Sequence, residues 1–139
     1  MSYLFLDFDG TTHPLGCRVD LLFCKLDLLE DWLRRHPRVK VVISSSWRLM
    51  HPFDEMVSYF AEDLQARIVG VTPSLAASRY TQIQGWQAEH GRKEEAWVAL
   101  DDQPEEFPRG CPQLVLCNPS TGLTVANLLE ADDVLSHEA

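Results

Sequence analysis

The chain has no apolar run approaching the ~18 residues of a membrane span, so no membrane partner is expected. Its opening residues, MSYLF, carry no basic segment ahead of the apolar ones, and no secretory leader is expected. Basic residues are scarce: 12 Lys and Arg against 21 Asp and Glu, a formal net charge of −9. Such a chain repels polyanions at long range, which argues against non-specific nucleic-acid binding. The densest basic stretch, Arg34, Arg35, His36, Arg38 and Lys40, reads as a solvated helix end suited to the negative pole of the helix dipole. The four cysteines, Cys17, Cys24, Cys111 and Cys117, have no CxxC spacing, so a zinc site is not expected. Without a leader they read as reduced packing thiols of a cytoplasmic protein. No repeat, linker or low-complexity tract divides residues 1–139, which read as one domain.

What is present is an alternation. YLFL (3–6), VKVVI (39–43), RIVGV (67–71), AWVAL (96–100) and QLVLC (113–117) are short apolar runs bounded by turn residues, and read as strands. Between them lie helical patterns. Leu22, Leu26, Leu29 and Leu33 predict an amphipathic helix over Val19–Arg35. Met56, Val57, Phe60 and Leu64 predict one from Pro52 or Phe53 to Leu64, and Ile83, Trp86 and His90 one over Arg79–His90. Thr124 caps a last short helix through Leu129, with residues 132–139 expected to fray. Trp32, Phe60 and Trp86 sit on apolar faces and are expected in the core. This pattern indicates an α/β fold, a Rossmann-like three-layer sandwich around a parallel sheet.

Three strands end in polar clusters: Asp7-Phe8-Asp9-Gly10-Thr11, Ser44-Ser45-Ser46, and Asp101-Asp102. The carboxyl ends of a parallel sheet share one edge, where ligands bind. Asp7 and Asp9, two apart on an extended chain, point to the same side about 7 Å apart. Up to four carboxylates then crowd one edge, and each like-charge pair at ~4 Å costs about 1 kcal/mol in water and about 4 near a protein surface. A cation relieves this, and carboxylate oxygens with no His or Cys among them select Mg²⁺. A carboxylate can attack phosphorus, and a second can protonate the leaving oxygen and then activate water. Gly10 lets the backbone turn toward a phosphate, and Ser44 or Ser45 offers it a hydroxyl.

LFLDFDGTT, VVIS and VALDD resemble, in order and at strand ends, the first, second and fourth motifs of the haloacid dehalogenase (HAD) superfamily. The resemblance implies a phosphatase of the aspartyl-phosphate type, with strand order 5-4-1-2-3. It implies Asp7 as nucleophile and Asp9 as general acid and base, Asp9 also binding Mg²⁺ through its carbonyl. Ser44 is then the phosphate-binding hydroxyl, with Ser45 as alternative, beside Gly10 and Thr11. Asp102 is assigned to direct metal contact and Asp101 to support. The family's cation is usually Lys; here Arg79 is chosen over Lys93. Only residues 12–38 separate the first two motifs, leaving no room for a large cap domain, so the site is expected to be open to a large phosphorylated substrate. VVISSSWR, VGVTPSL with Arg79, and VALDD are further similar to compact HAD domains of RNA-repair proteins, which admits a nucleic-acid end. Trp47 and Arg48 are then placed at the rim, on a base and a phosphate; the alternative has Trp47 packed under the next loop and Arg48 paired with an acid. His13 reads as polar surface, with substrate contact as the alternative, and Asn118 is a candidate to border the site. The rival functions are a receiver-like signalling domain and a non-catalytic phosphate-binding module.

Overall fold

The computed structural model describes residues 1–138. Five strands, β1 (Ser2–Leu6), β2 (Val39–Ile43), β3 (Ile68–Val71), β4 (Ala96–Asp101) and β5 (Leu114–Leu116), form one sheet in the order β3-β2-β1-β4-β5. This is the expected order read from the other edge, and every pairing is parallel. The α-helices are α1 (Leu26–Arg35), α2 (Phe53–Val57), α3 (Arg79–Glu89) and α4 (Val125–Glu138).

Alternation along β1 divides the core. Leu4, Leu6 and Phe8 face one layer with Leu29, Trp32 and Leu33 of α1 and Leu128 and Ala131 of α4. Tyr3 and Phe5 face the other, with Ile83 and Trp86 of α3 and with Trp97 and Phe107. Both faces of the sheet are therefore covered, as a parallel sheet requires. Leu6 is paired to Ile43 on one side and Leu100 on the other, so Asp7, Ser44 and Asp101 leave the sheet at one level. The basic stretch Arg34–Lys40 lies at the opposite edge, where Arg35, His36 and Arg38 line a cavity of about 590 Å³.

Three helix expectations need correction. The helix expected over Val19–Arg35 forms only from Leu26; Val19–Leu21 is a single 3₁₀ turn. Phe23 interrupts it with φ of 61°, left-handed backbone that costs a bulky residue about 1–3 kcal/mol. Its ring is held in place by edge-on contacts with Phe8, Trp47 and His13, with Tyr59 tilted against it. The second helix stops at Val57, and its apolar pattern continues in a 3₁₀ segment, Glu62–Arg67, that still buries Leu64. Between the two, the Ala61 N–H is captured by Glu30 Oε2 of α1 at 2.6 Å. The last helix runs on through residues expected to fray. Thr124 and Asn127 cap it reciprocally, each side-chain oxygen accepting the other's backbone N–H. Asp132 then accepts a bond from Trp32 Nε1 at 2.9 Å and pairs with His36 at 2.7 Å. Ala139, the end of the expected frayed stretch, lies outside the described residues.

Asp132→Ala is expected to lower unfolding free energy by about 1–3 kcal/mol, because it leaves the indole N–H of buried Trp32 unpaired. Urea denaturation, with a lower midpoint at unchanged slope, checks this.

Candidate active site

Asp7 continues from β1, its N–H bonded to Leu100 O of β4 at 3.1 Å. Asp101 ends β4, and Asp102 follows it. One carboxylate oxygen from each of Asp7, Asp101 and Asp102 lies within 4.8 Å of the others. Residues 94 positions apart in the chain are thus neighbours because β1 and β4 are. Arg79, the first residue of α3, points into the same cluster. One of its terminal nitrogens sits 2.8 Å from Asp101 Oδ2 and 3.4 Å from Asp7 Oδ1. Lys93, the alternative cation, precedes the start of β4, at the far end of the strand from these acids.

Three acids against one guanidinium leave excess negative charge. Burial pushes the Asp7 carboxyl up to about 9, and the Asp101 charge adds to this while Arg79 opposes it. Asp101 is also raised, by burial, with Arg79 and the Gln103 N–H pulling the other way. Burial works against the charge of Arg79, but Asp101 and Asp7 outweigh it and hold the guanidinium charged. The cluster lacks a further positive charge.

The donor set fits Mg²⁺. It is all carboxylate oxygen, and Asp102 Oδ1 is buried without a partner. Asp101, by contrast, is engaged by Arg79 and by the Gln103 N–H at 3.0 Å. Gly10 makes this approach feasible. It has φ of 77°, and a Cβ built there would lie 2.6 Å from Asp102 Cγ.

Ser44 follows β2, its N–H bonded to Leu6 O, and its buried hydroxyl has no partner. Arg79 Nε and the Thr11 and Thr72 hydroxyls are also buried and unpartnered. Ser45 is engaged differently, its Oγ accepting the Trp47 N–H at 3.2 Å as a cap. Asn118 does not reach the acids through any hydrogen bond described; it builds a turn, its Oδ1 accepting the Ser120 N–H. That turn braces the loop after β1 through Leu123 N–H to Thr11 O and Leu15 N–H to Pro119 O.

Among the described residues Arg48 is paired with no acid, against the alternative reading. Its guanidinium donates to Thr72 O, Ser44 O, Ser45 O and Pro73 O and to the Gln82 side-chain oxygen. All five N–H groups are engaged, which ties the loops after β2 and β3 to α3. Trp47 is packed in the loop, as its alternative reading had it. It meets the ring of Phe8 edge-on and stacks on His51.

Asp9 stands apart from the three-acid group, and its surroundings were missed in the sequence. Its Oδ2 accepts from Trp47 Nε1 at 3.1 Å, and its Oδ1 lies 2.8 Å from His13 Nε2. His13 is 1% exposed, not surface. The readable signal was spacing: Thr11 and Thr12 both donate backbone N–H groups to Phe8 O, a tight turn that folds residue 13 back onto residue 9.

Residues 3–128 match the model of a family described as the HAD domain in Swiss Army Knife RNA repair proteins. The chain belongs to this family. Among curated proteins, none matches it. The three motifs of the HAD resemblance all fall inside the matched span, as do Arg79, His13 and Trp47. Only one ten-residue α-helix and short turns lie between Thr12 and Arg38, so this HAD domain has no large cap there.

Two outcomes follow from the crowded acids. Asp7 is raised in the folded chain, so the unfolded chain ionises first; the penalty on the metal-free fold is absent below about pH 4, grows with pH, and is complete above about pH 9. Asp7→Asn removes it, so at pH 8 without metal the variant is expected to melt several degrees above wild type, the gap closing toward pH 4; calorimetry across pH checks this. Gly10→Ala is expected to destabilise by more than the ~1 kcal/mol of an ordinary glycine replacement, because φ and Asp102 both oppose it.

Proposed function

We propose that the protein is a Mg²⁺-dependent phosphomonoester hydrolase working through an aspartyl-phosphate at Asp7. The single observation that carries this reading is the buried meeting of Asp7, Asp101, Asp102 and Arg79 beside the unpartnered Ser44 hydroxyl. Family membership supports the phosphatase chemistry in general terms.

In this reading a phosphate binds between the Ser44 hydroxyl and the guanidinium of Arg79, whose fork suits two phosphate oxygens. Asp7 Oδ1 attacks phosphorus. The bond from phosphorus to the leaving oxygen breaks, and that oxygen takes the proton of the Asp9 carboxyl. Water then attacks phosphorus, Asp9 accepts its proton, and the bond to Asp7 breaks to free inorganic phosphate. Asp7 and Asp102, with the Asp9 carbonyl, would hold Mg²⁺, which would supply the positive charge that the acids lack, while Asp101 holds Arg79 in place. Asp9, where dehalogenase members lack an acid, favours phosphoryl chemistry over carbon–halogen cleavage.

The proposed substrate is a phosphate on something large or accessible: a polynucleotide end, a nucleotide or a phosphoprotein. The missing cap supports accessibility, and the family's description favours an RNA end among these. The net charge of −9 favours a short contact at the end over binding along a strand. The four free thiols suit a reducing compartment such as the cytoplasm, and no described helix is long and apolar enough to cross a membrane.

Purified protein is expected to release phosphate repeatedly from p-nitrophenyl phosphate and from 5′- or 3′-phosphorylated oligonucleotides in Mg²⁺, and to stop in EDTA. Asp7→Asn is expected to abolish turnover. One phosphate retained per chain points instead to a receiver-like module, and activity surviving Asp7→Asn rejects the nucleophile.

A further inference from the structure

We infer that His13 and Trp47 form a two-donor clamp that sets the Asp9 carboxyl in place for its proton transfers, with Phe23 fixing which nitrogen of His13 carries the proton. This role rests on the phosphatase reading and adds positioning residues to it.

The clamp is built from three hydrogen bonds in series. The Phe23 N–H points at His13 Nδ1 at 3.1 Å. A backbone N–H can only donate, so Nδ1 presents a lone pair to it, with the Thr12 hydroxyl also 3.3 Å from Nδ1, and the ring proton of a neutral imidazole then resides on Nε2. Nε2–H then donates to Asp9 Oδ1 at 2.8 Å. The indole Nε1, which can only donate, takes the other oxygen, Oδ2, at 3.1 Å. Each oxygen of Asp9 thus has one donor, which holds the carboxyl against rotation about its terminal torsion.

The donors themselves cannot move. His13 is enclosed, with the Phe23 ring edge-on at 5.1 Å and the Trp47 ring at 5.9 Å. Trp47 packs against Phe8 and Phe23 and stacks on His51 at 4.8 Å. Phe23 holds left-handed backbone, an unfavourable state for a bulky residue, and in that state its N–H is turned toward His13. Asp9 itself remains 44% exposed. An exposed carboxyl would sample several rotamers if free. General acid catalysis depends on reach and direction to the leaving oxygen, and is worth about 10²–10⁴-fold in rate.

The leaving group separates this role from simple scaffolding. A p-nitrophenolate departs without a proton, whereas the sugar oxygen of a 3′-phosphorylated oligonucleotide requires one. The comparison uses wild type, Trp47→Phe, His13→Ala and His13→Gln, each alone and with Asp9→Asn, with kcat/KM measured on both esters in Mg²⁺. Trp47→Phe keeps the ring and loses only the N–H. It and His13→Ala are expected to lose about 10-fold or more on the oligonucleotide and clearly less on the aryl ester. His13→Gln, which can still donate, is expected to recover part of the loss. With Asp9→Asn present, neither clamp substitution is expected to cost more, since the group it positions is gone. A separate readout is independent of turnover: ¹⁵N NMR of the histidines is expected to show His13 protonated at Nε2 and bare at Nδ1. Equal losses on both esters, undiminished losses in the Asp9→Asn background, or a proton on Nδ1 would each overturn the clamp while leaving the phosphatase reading standing. A wild type that hydrolyses neither ester overturns the phosphatase reading, and this role with it.

Discussion

Charge crowding at the end of a buried strand is the constraint around which this molecule is arranged. β1 lies at the centre of the sheet, so the residue that follows it emerges among its neighbours' ends, not at a free surface. Placing Asp7 there, beside Asp101 and Asp102, opposes folding unless positive charge is brought in. Arg79 brings one charge, from the first turn of a helix whose opening position is set by the Ser78 cap and by Glu106 accepting the Arg79 N–H. A single guanidinium among three acids leaves the balance incomplete, a shortfall that a bound cation would make up. Stability is given up locally at this strand end, where burial raises the Asp7 carboxyl.

Much of this was legible in the sequence because strands report themselves. All five expected strands match the observed ones within a residue or two, and the order that the HAD resemblance implied is the observed one. An apolar run stopped by acids marks both a strand and the level at which it leaves the sheet, so Asp7, Ser44 and Asp101 could be placed together without coordinates. Helix ends were less legible. Leu22 continues a helical spacing that the backbone abandons at Phe23, since packing of one aromatic ring outweighs several residues of periodicity. Residues 132–139 looked too polar to hold, yet Asp132 reaches across to α1.

The side-chain partners around Asp9 were the least legible part. A histidine beside a proline has the composition of a loop, and nothing in composition reveals that a turn has folded it inward. Trp47 and Arg48 follow a strand end and admitted two readings, at the rim on a base and a phosphate, or packed under the next loop and paired with an acid. Both side chains turn back into the protein, one toward an acid and the other toward carbonyl oxygens. Rim positions in an uncapped domain of this size still have to support the walls of the site, and the largest polar side chains there serve that purpose.

Arg48 illustrates what that support implies. One planar group binds the carbonyls that follow two neighbouring strands together with a glutamine from the next helix. The two elements that supply Ser44 and Arg79 therefore share a common anchor and cannot drift independently. Damage to that anchor would free Ser44 and Arg79 to move apart, and a binding assay would register it as though a direct contact had been removed.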